Sequence, residues 1–341
     1  MRGAARYNRH EGTRRPAELG LTQVPGPTRF IPASAQPQAV PPCHPSGFSA
    51  IMDALRFFLG IDVGNSRVKF GLFDRSEGGR ASGTLPPCLH SLAVRASEPV
   101  PWDRIVAWRE ELEEDWQAAV AGANPAGVDR LVSQWPAELG APPQHVRDVT
   151  RFPISIRVDE PRKVGVDRVL NAVAANVLRR PRQTAIIVDS GTATTVDFVD
   201  EGGAFRGGAI LPGLRLAARC LHEYTALLPL VTMDELRQKP VPIVGRNTSE
   251  AIRSGIFWGQ LGAVRELIQR MERAAVGPAQ QADRVAEAGA QASDIGQPLR
   301  PVRPLLLLTG GGGLLLSREI PEGRLERHLS LQGLALVAAE G

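Results

Sequence analysis

Two short segments, Asp62-Val-Gly-Asn-Ser-Arg-Val-Lys69 and Asp189-Ser-Gly-Thr-Ala-Thr-Thr195, repeat one arrangement of residue types 127 residues apart. Each sets a carboxylate before a glycine turn. The chemistry this suits is phosphate binding, because a glycine turn lets backbone N–H groups approach phosphate oxygens with no Cβ in the way. In the first segment Gly64, Asn65 and Ser66 can cradle phosphate, and Lys69 can add positive charge. Asp62 repels phosphate, so its sensible task is to hold Mg²⁺, directly or through water. Lysine occurs here only at 69, 163 and 239, which singles out Lys69, although an ordinary edge-strand lysine would look the same. In the second segment Thr192, Thr194 and Thr195 offer hydroxyls beside Gly191, and threonine is also a good strand former.

A third segment, Gly165-Val166-Asp167-Arg168, opens an apolar run of helical period. An acid in a first helical turn is favoured by the helix dipole. The dipole also keeps such a carboxylate ionised, ready to take a hydroxyl proton during phosphoryl transfer. Arg168 can pair with a substrate carboxylate through two hydrogen bonds. Spacing alone does not choose between a helix cap and a base. A fourth segment, Leu305–Leu308 followed by Thr309 and four glycines, suits either close approach to a flat ligand such as adenine or a flexible loop. No Gly-x-x-x-x-Gly-Lys-Ser/Thr pattern occurs.

The elements that must position these residues follow from periodicity. Arg56–Ile61 and Val68–Phe73 flank the first turn with no room for a helix, so they form a hairpin, and Thr184–Val188 with Thr195–Val199 repeat it. Helices are predicted at Trp108–Val120, Val166–Leu178, Leu214–His222, Thr248–Met271 and Leu331–Ala339. Two hairpins in matching contexts point to a duplicated α/β domain with one phosphate-binding turn per lobe. Residues 1–50, rich in Pro, Gly, Ser, Thr and Arg, read as a disordered basic tail. Met52, just before the first strand, is a candidate start. Residues 276–304 read as a flexible insertion.

Bulk properties exclude several classes. The 341 residues are 43% hydrophobic, yet no apolar run approaches the ~20 residues of a membrane span. The tail holds six arginines against Glu11 and Glu18, the whole formal charge of +4, and the rest is balanced at 34 basic and 34 acidic residues. A balanced body argues against an extended nucleic-acid face. Cys43, Cys88 and Cys220 are odd in number and match no metal-ligand spacing, as expected of a reducing cytoplasm.

Taken together, these segments resemble the type III pantothenate kinases of the acetate and sugar kinase/heat-shock chaperone/actin superfamily. The resemblance runs from about Phe58 to Ala339. It also takes in Gly207-Gly-Ala-Ile-Leu-Pro-Gly213, Leu221–Pro229 with Thr225, Gly245-Arg-Asn-Thr248, Thr309-Gly-Gly311 and Leu331-Gln-Gly-Leu334. It implies two ribonuclease-H-like, actin-like ATPase lobes, residues 51–180 and 181–341, with a nucleotide cleft between them. It implies ATP binding by Asp62, Val63, Gly64, Asn65, Ser66, Arg67, Val68, Lys69 and Thr192. It makes Asp167 the catalytic base and Gly165, Val166, Asp167 and Arg168 the pantothenate motif. Asp189 matches the ligand of a K⁺ or NH₄⁺ ion, used beside ATP and Mg²⁺. Thr248 matches a pantothenate contact donated across a homodimer. The implied activity is phosphorylation of pantothenate, the first step towards coenzyme A, without nucleic acid or membrane. Val158 stands where the family often has a tyrosine. Another small-molecule kinase, or a non-catalytic transcriptional accessory relative, is the alternative.

Overall fold

The computed structural model describes residues 55–78, 82–238, 240–275 and 303–338. The expectations for residues 1–50 and for the 276–302 part of the insertion lie outside the described residues.

Phe57–Val63 (β1), Arg67–Asp74 (β2), Cys88–Arg95 (β3), Trp116–Ala121 (β4) and Gln144–His145 (β5) form one sheet, ordered β3-β2-β1-β4-β5. Ala185–Ser190 (β6), Ala193–Val199 (β7), Phe205–Pro212 (β8), Leu305–Thr309 (β9) and Arg324–Leu325 (β10) form a second, ordered β10-β9-β6-β7-β8. In both sheets the first three strands run antiparallel, the fourth joins the first in parallel and the fifth joins the fourth in parallel. The two sheets therefore repeat one topology. β1 lies at the centre of its sheet and is apolar on both faces, as a doubly covered strand must be, whereas edge strand β3 alternates half-buried with exposed residues.

Around the sheets lie helices Trp102–Glu110 (α1), Pro125–Ser133 (α2), Val166–Leu178 (α3), Leu214–Glu223 (α4), Met233–Arg237 (α5), Thr248–Ala275 (α6), Gly313–Ser317 (α7) and Leu329–Val337 (α8). The helix predicted over Trp108–Val120 is not one element. Its first residues end α1, and Trp116–Ala121 is strand β4, paired in parallel with β1. The sequence Trp-Gln-Ala-Ala-Val-Ala lacks alternation because it is covered on both faces, and its alanines read as helix formers.

Helix α3 is shared by both cores. Val169, Leu170 and Val173 pack with Phe58, Phe73, Leu331 and Leu334 against the first sheet. Ala172, Ala174 and Ala175 pack with Ala185, Ile187, Phe205 and Leu329 against the second. Helix α8 does the same from the far end of the chain, so α3 and α8 lie together between the sheets. Their contact is very close: a Cβ on Gly333 would sit 2.1 Å from the Leu170 carbonyl oxygen. We propose residues 51–180 and 181–341 as the lobes, with these two helices as their common layer.

This contact makes a direct prediction. Gly333→Ala forces α8 off the α3 backbone, and overpacking of this kind costs about 1–3 kcal/mol. A melting temperature lowered by several degrees in thermal unfolding is expected; an unchanged one would contradict the close packing.

Candidate functional site

The site forms where the first strand of each sheet ends. Asp62 is the penultimate residue of β1 and faces Lys69 across the β1–β2 hairpin; Asp189, at the equivalent place in β6, faces Thr195. The Lys69 ammonium donates to Asp62 Oδ2 at 3.1 Å, and Ser330 Oγ, at the start of α8, donates to the same oxygen at 3.2 Å. Asp62, followed by Asp189 and Asp167, holds the Lys69 ammonium well above the ordinary lysine range. Lys69 is therefore already ion-paired, with about a third of its side chain exposed (36%). It can meet phosphate only while keeping Asp62.

The two hairpin turns meet. In each, the glycine after the aspartate closes the turn, Gly64 N–H donating to Arg67 O and Gly191 N–H to Ala193 O, both at 2.9 Å. Thr192 Oγ1, on one tip, donates to Ser66 Oγ on the other at 2.8 Å. Asn65 and Arg67 are exposed beside them. Val63 and Val68 are buried in the first core, so only their backbones are left for a ligand. The glycines after Thr309 have a different reason from either one expected. Gly310 has φ of +82°, and a Cβ there would lie 2.3 Å from Asp189 Oδ1; a Cβ on Gly312 would lie 2.3 Å from Ser190 Oγ. They let β9 close onto the β6–β7 turn, and Gly311 alone has open space.

Asp167 stands in the first turn of α3. Its Oδ1 accepts from the Arg168 N–H at 2.9 Å, and a Cβ on Gly165 would come within 2.7 Å of that oxygen. Burial first, then Asp62 and Asp189, push the Asp167 carboxyl up to about 6, against the Arg168 N–H and Lys69, which favour the anion. This corrects the expectation that the helix dipole rules: desolvation and like charge outweigh it. The result is a carboxyl titrating just below neutrality, suited to accept a proton at pH 7.

Arg168 is committed elsewhere. Its Nε donates to Asp197 Oδ1 and Oδ2 at 2.9 and 3.2 Å, and Nη2 donates to Oδ1 at 2.5 Å. Asp197, on β7, is fully buried and would be costly without that partner. The paired hydrogen bonds expected for a substrate are thus made to Asp197, by Nε and Nη2 and not by Nη1. Val166 is buried in the core behind it. Val158 packs towards Gly207 on β8. Thr248 lies apart, exposed at the start of α6. It lines a groove of about 840 Å³ with Leu211, Ala217, Leu221, Tyr224 and Ile252.

Asp197, Asn171 and Ser330 were not singled out in the sequence. Asp197 had a signal, a charge inside the Thr195–Val199 strand pattern, and Asn171 interrupts the apolar stripe of α3. Among the described residues no three His, Cys, Asp or Glu side chains cluster as a metal site. A divalent ion would therefore draw further oxygens from phosphate and water, the usual habit of Mg²⁺. A cation still fits the charge of the site, because three carboxyl groups act on a single ammonium. No described helix is long and apolar enough to cross a membrane.

Twin sheets of this topology, with a turn from each meeting over paired aspartates, define an actin-like ATPase fold. A family model for type III pantothenate kinases matches residues 58–270. Type III pantothenate kinases from three bacteria are similar to the chain. That of Rhodospirillum centenum is 31% identical over 82% of this chain and 97% of its own length. That of Persephonella marina is 29% identical over 81% and 96%. That of Dehalococcoides mccartyi is 42% identical over 46% and 58%. Solved structures are more distant: MreB5 of Spiroplasma citri, bound to ADP, gives a TM-score of 0.40 at 11% identity over 82% of this chain and 95% of that one. The chain belongs to the type III pantothenate kinase family.

The raised Asp167 carboxyl has a measurable effect on stability. Its folded value of about 6 exceeds the ordinary 3.8, so the folded chain binds the extra proton between them and stability falls as pH rises through that window. Asp167→Asn removes the titration. The variant should match the parent near the lower value and be more stable by about 1–3 kcal/mol above neutrality. Urea unfolding at the two pH values checks this. A less stable variant at high pH would mean that Asp167 serves mainly as a helix cap.

Proposed function

We propose that this chain transfers the γ-phosphoryl group of ATP to the primary hydroxyl of pantothenate, giving 4′-phosphopantothenate and ADP at the entry to coenzyme A synthesis. The observation that carries the chemistry is Asp167, a half-buried carboxyl raised to about 6 by burial and by the two strand-end aspartates, in a chain of this family.

Asp167 accepts the hydroxyl proton as the oxygen attacks the γ-phosphorus; the bond from that phosphorus to the bridging oxygen breaks, and ADP leaves. The proton on Asp167 then returns to solvent. Gly64, Asn65 and Ser66 of one turn and Thr192 of the other present N–H and hydroxyl groups to the phosphates. Lys69 and the backbones of Val63, Arg67 and Val68 complete that loop. Mg²⁺, when bound near Asp62, supplies charge that offsets the polyphosphate. Asp189 holds a monovalent cation, K⁺ or NH₄⁺, because its carboxyl shares the site with two others and one lysine. Arg168 Nη1 meets the pantothenate carboxylate beside Gly165 and Val166, with Asp197 fixing the guanidinium plane.

Thr248 reaches pantothenate from the partner subunit of a homodimer. The apolar groove between α4 and α6, with Tyr224 84% exposed at its side, supports that reading, since exposed apolar patches of this kind mark association faces. The protein works in the cytoplasm, without nucleic acid or membrane. Val158, packed on Gly207 where the family often has a tyrosine, favours testing other hydroxy acids beside pantothenate.

The decisive experiment is coupled ADP release with pantothenate and a panel of hydroxylated acids. Asp167→Asn should lower kcat by roughly 10²–10⁴, the usual worth of general base catalysis, with KM for ATP little changed. Near-normal turnover by that variant would refute the mechanism.

The groove makes its own prediction. Leu221→Glu puts a charge into the apolar face and should reduce the sedimentation coefficient to that of a monomer. It should also raise KM for pantothenate while ADP still binds. A dimer that survives this change is assembled through another face.

A further inference from the structure

We propose that Asn171 is a positioning residue that fixes the Asp189 carboxylate for its monovalent cation, a role that rests on the reading of Asp189 given above. Asn171 lies one helical turn beyond Asp167 on α3, so the two share a face. It is fully buried. Its Nδ2 donates to Asp189 Oδ2 at 3.0 Å, while its Oδ1 is buried with no hydrogen-bond partner. Such an amide is a poor way to fill space. The residues flanking it, Leu170 and Ala172, are apolar and buried, and a leucine would fill the same volume without stranding an acceptor.

The one bond that Asn171 makes therefore accounts for its presence. The bond restrains one oxygen of Asp189, and Gly310, lacking a Cβ, leaves room beside the other, since a Cβ there would come within 2.3 Å of Oδ1. The carboxylate is thus oriented through one oxygen, and the other is left beside the glycine. A ligand oriented in this way binds its ion without first losing rotational freedom, which is what outer hydrogen bonds do for metal ligands. Because α3 also carries Asp167, the same helix sets the spacing between the proton acceptor and the cation ligand.

The test uses the full chain and titrates KCl at constant ionic strength, following both turnover and melting temperature. In Asn171→Leu the K⁺ concentration giving half-maximal rate should rise about tenfold, the usual effect of losing an outer-shell partner. The K⁺ concentration that raises the melting temperature should shift equally, with kcat at saturating K⁺ largely retained. A shift below about threefold would overturn the proposal and leave Asn171 as packing. If the leucine variant does not fold, Asn171→Ala is read against the same threshold. A parent enzyme indifferent to K⁺ would overturn the reading of Asp189 and this proposal with it. A K⁺-dependent parent with an unmoved midpoint in the variant would overturn Asn171 alone.

Discussion

The site depends on one electrostatic constraint, three carboxyl groups gathered about a single ammonium. Asp62 bonds Lys69 directly, and Asp189 and Asp167 both act on it through space. In the partly shielded medium of a protein cleft such charges act on one another without full screening by water. Like charges so placed would spread apart if the backbone allowed it. It does not, because two strand ends and one helix start are locked by α3 and α8, packed backbone to backbone where Gly333 meets Leu170. The fold holds negative charge together, and the site relieves it in two ways. Asp167 keeps its proton to a higher pH than an ordinary aspartate, and the remaining charge favours cations.

The duplication supplies the geometry, and divergence within it supplies the chemistry. Both sheets end their first strand in an aspartate, follow it with a glycine-closed turn, and set a strand residue opposite. In the first lobe that residue is Lys69; in the second it is Thr195. An ammonium and a hydroxyl at equivalent places cannot do equivalent work. The lysine pairs with Asp62 and adds charge near the mouth, whereas Thr195 leaves Asp189 to find its partner on α3, at Asn171. The helices are exchanged in the same sense: α3, which follows the first sheet, bonds the aspartate of the second, and α8, which follows the second, bonds the aspartate of the first through Ser330.

Local features were legible in the sequence, and long-range ones were not. The hairpins and α3 could be read because turn chemistry and helical period act over a few residues. Strand β4 could not, since its burial on both faces erases the alternation that marks a strand, and one of those faces is covered by α3 and α8, distant in the chain. Asp167 could be placed at a helix start, but its raised carboxyl comes from desolvation and from Asp62 and Asp189, all products of tertiary assembly. The glycines after Thr309 were correctly seen as needing a reason. The reason lay in Asp189 and Ser190, which the sequence places far away.

Arg168 shows best how tertiary partners change the meaning of a motif. Read alone, it is a free guanidinium offering a forked grip to a carboxylate. In the fold, Asp197 takes that fork, and Phe205 lies 5.5 Å from the guanidinium carbon. The pair is mutually obligatory, since Asp197 is wholly buried and breaking such a pair from one side costs about 3–5 kcal/mol. What the pairing gives Arg168 is rigidity. An arginine held by a carboxylate and a ring has already lost its rotamer freedom during folding, so a ligand meeting Nη1 need not order it again. On the mechanism proposed above, such a grip is narrower than a forked one. A buried acid thus decides which of the arginine's hydrogen bonds the fold has already taken.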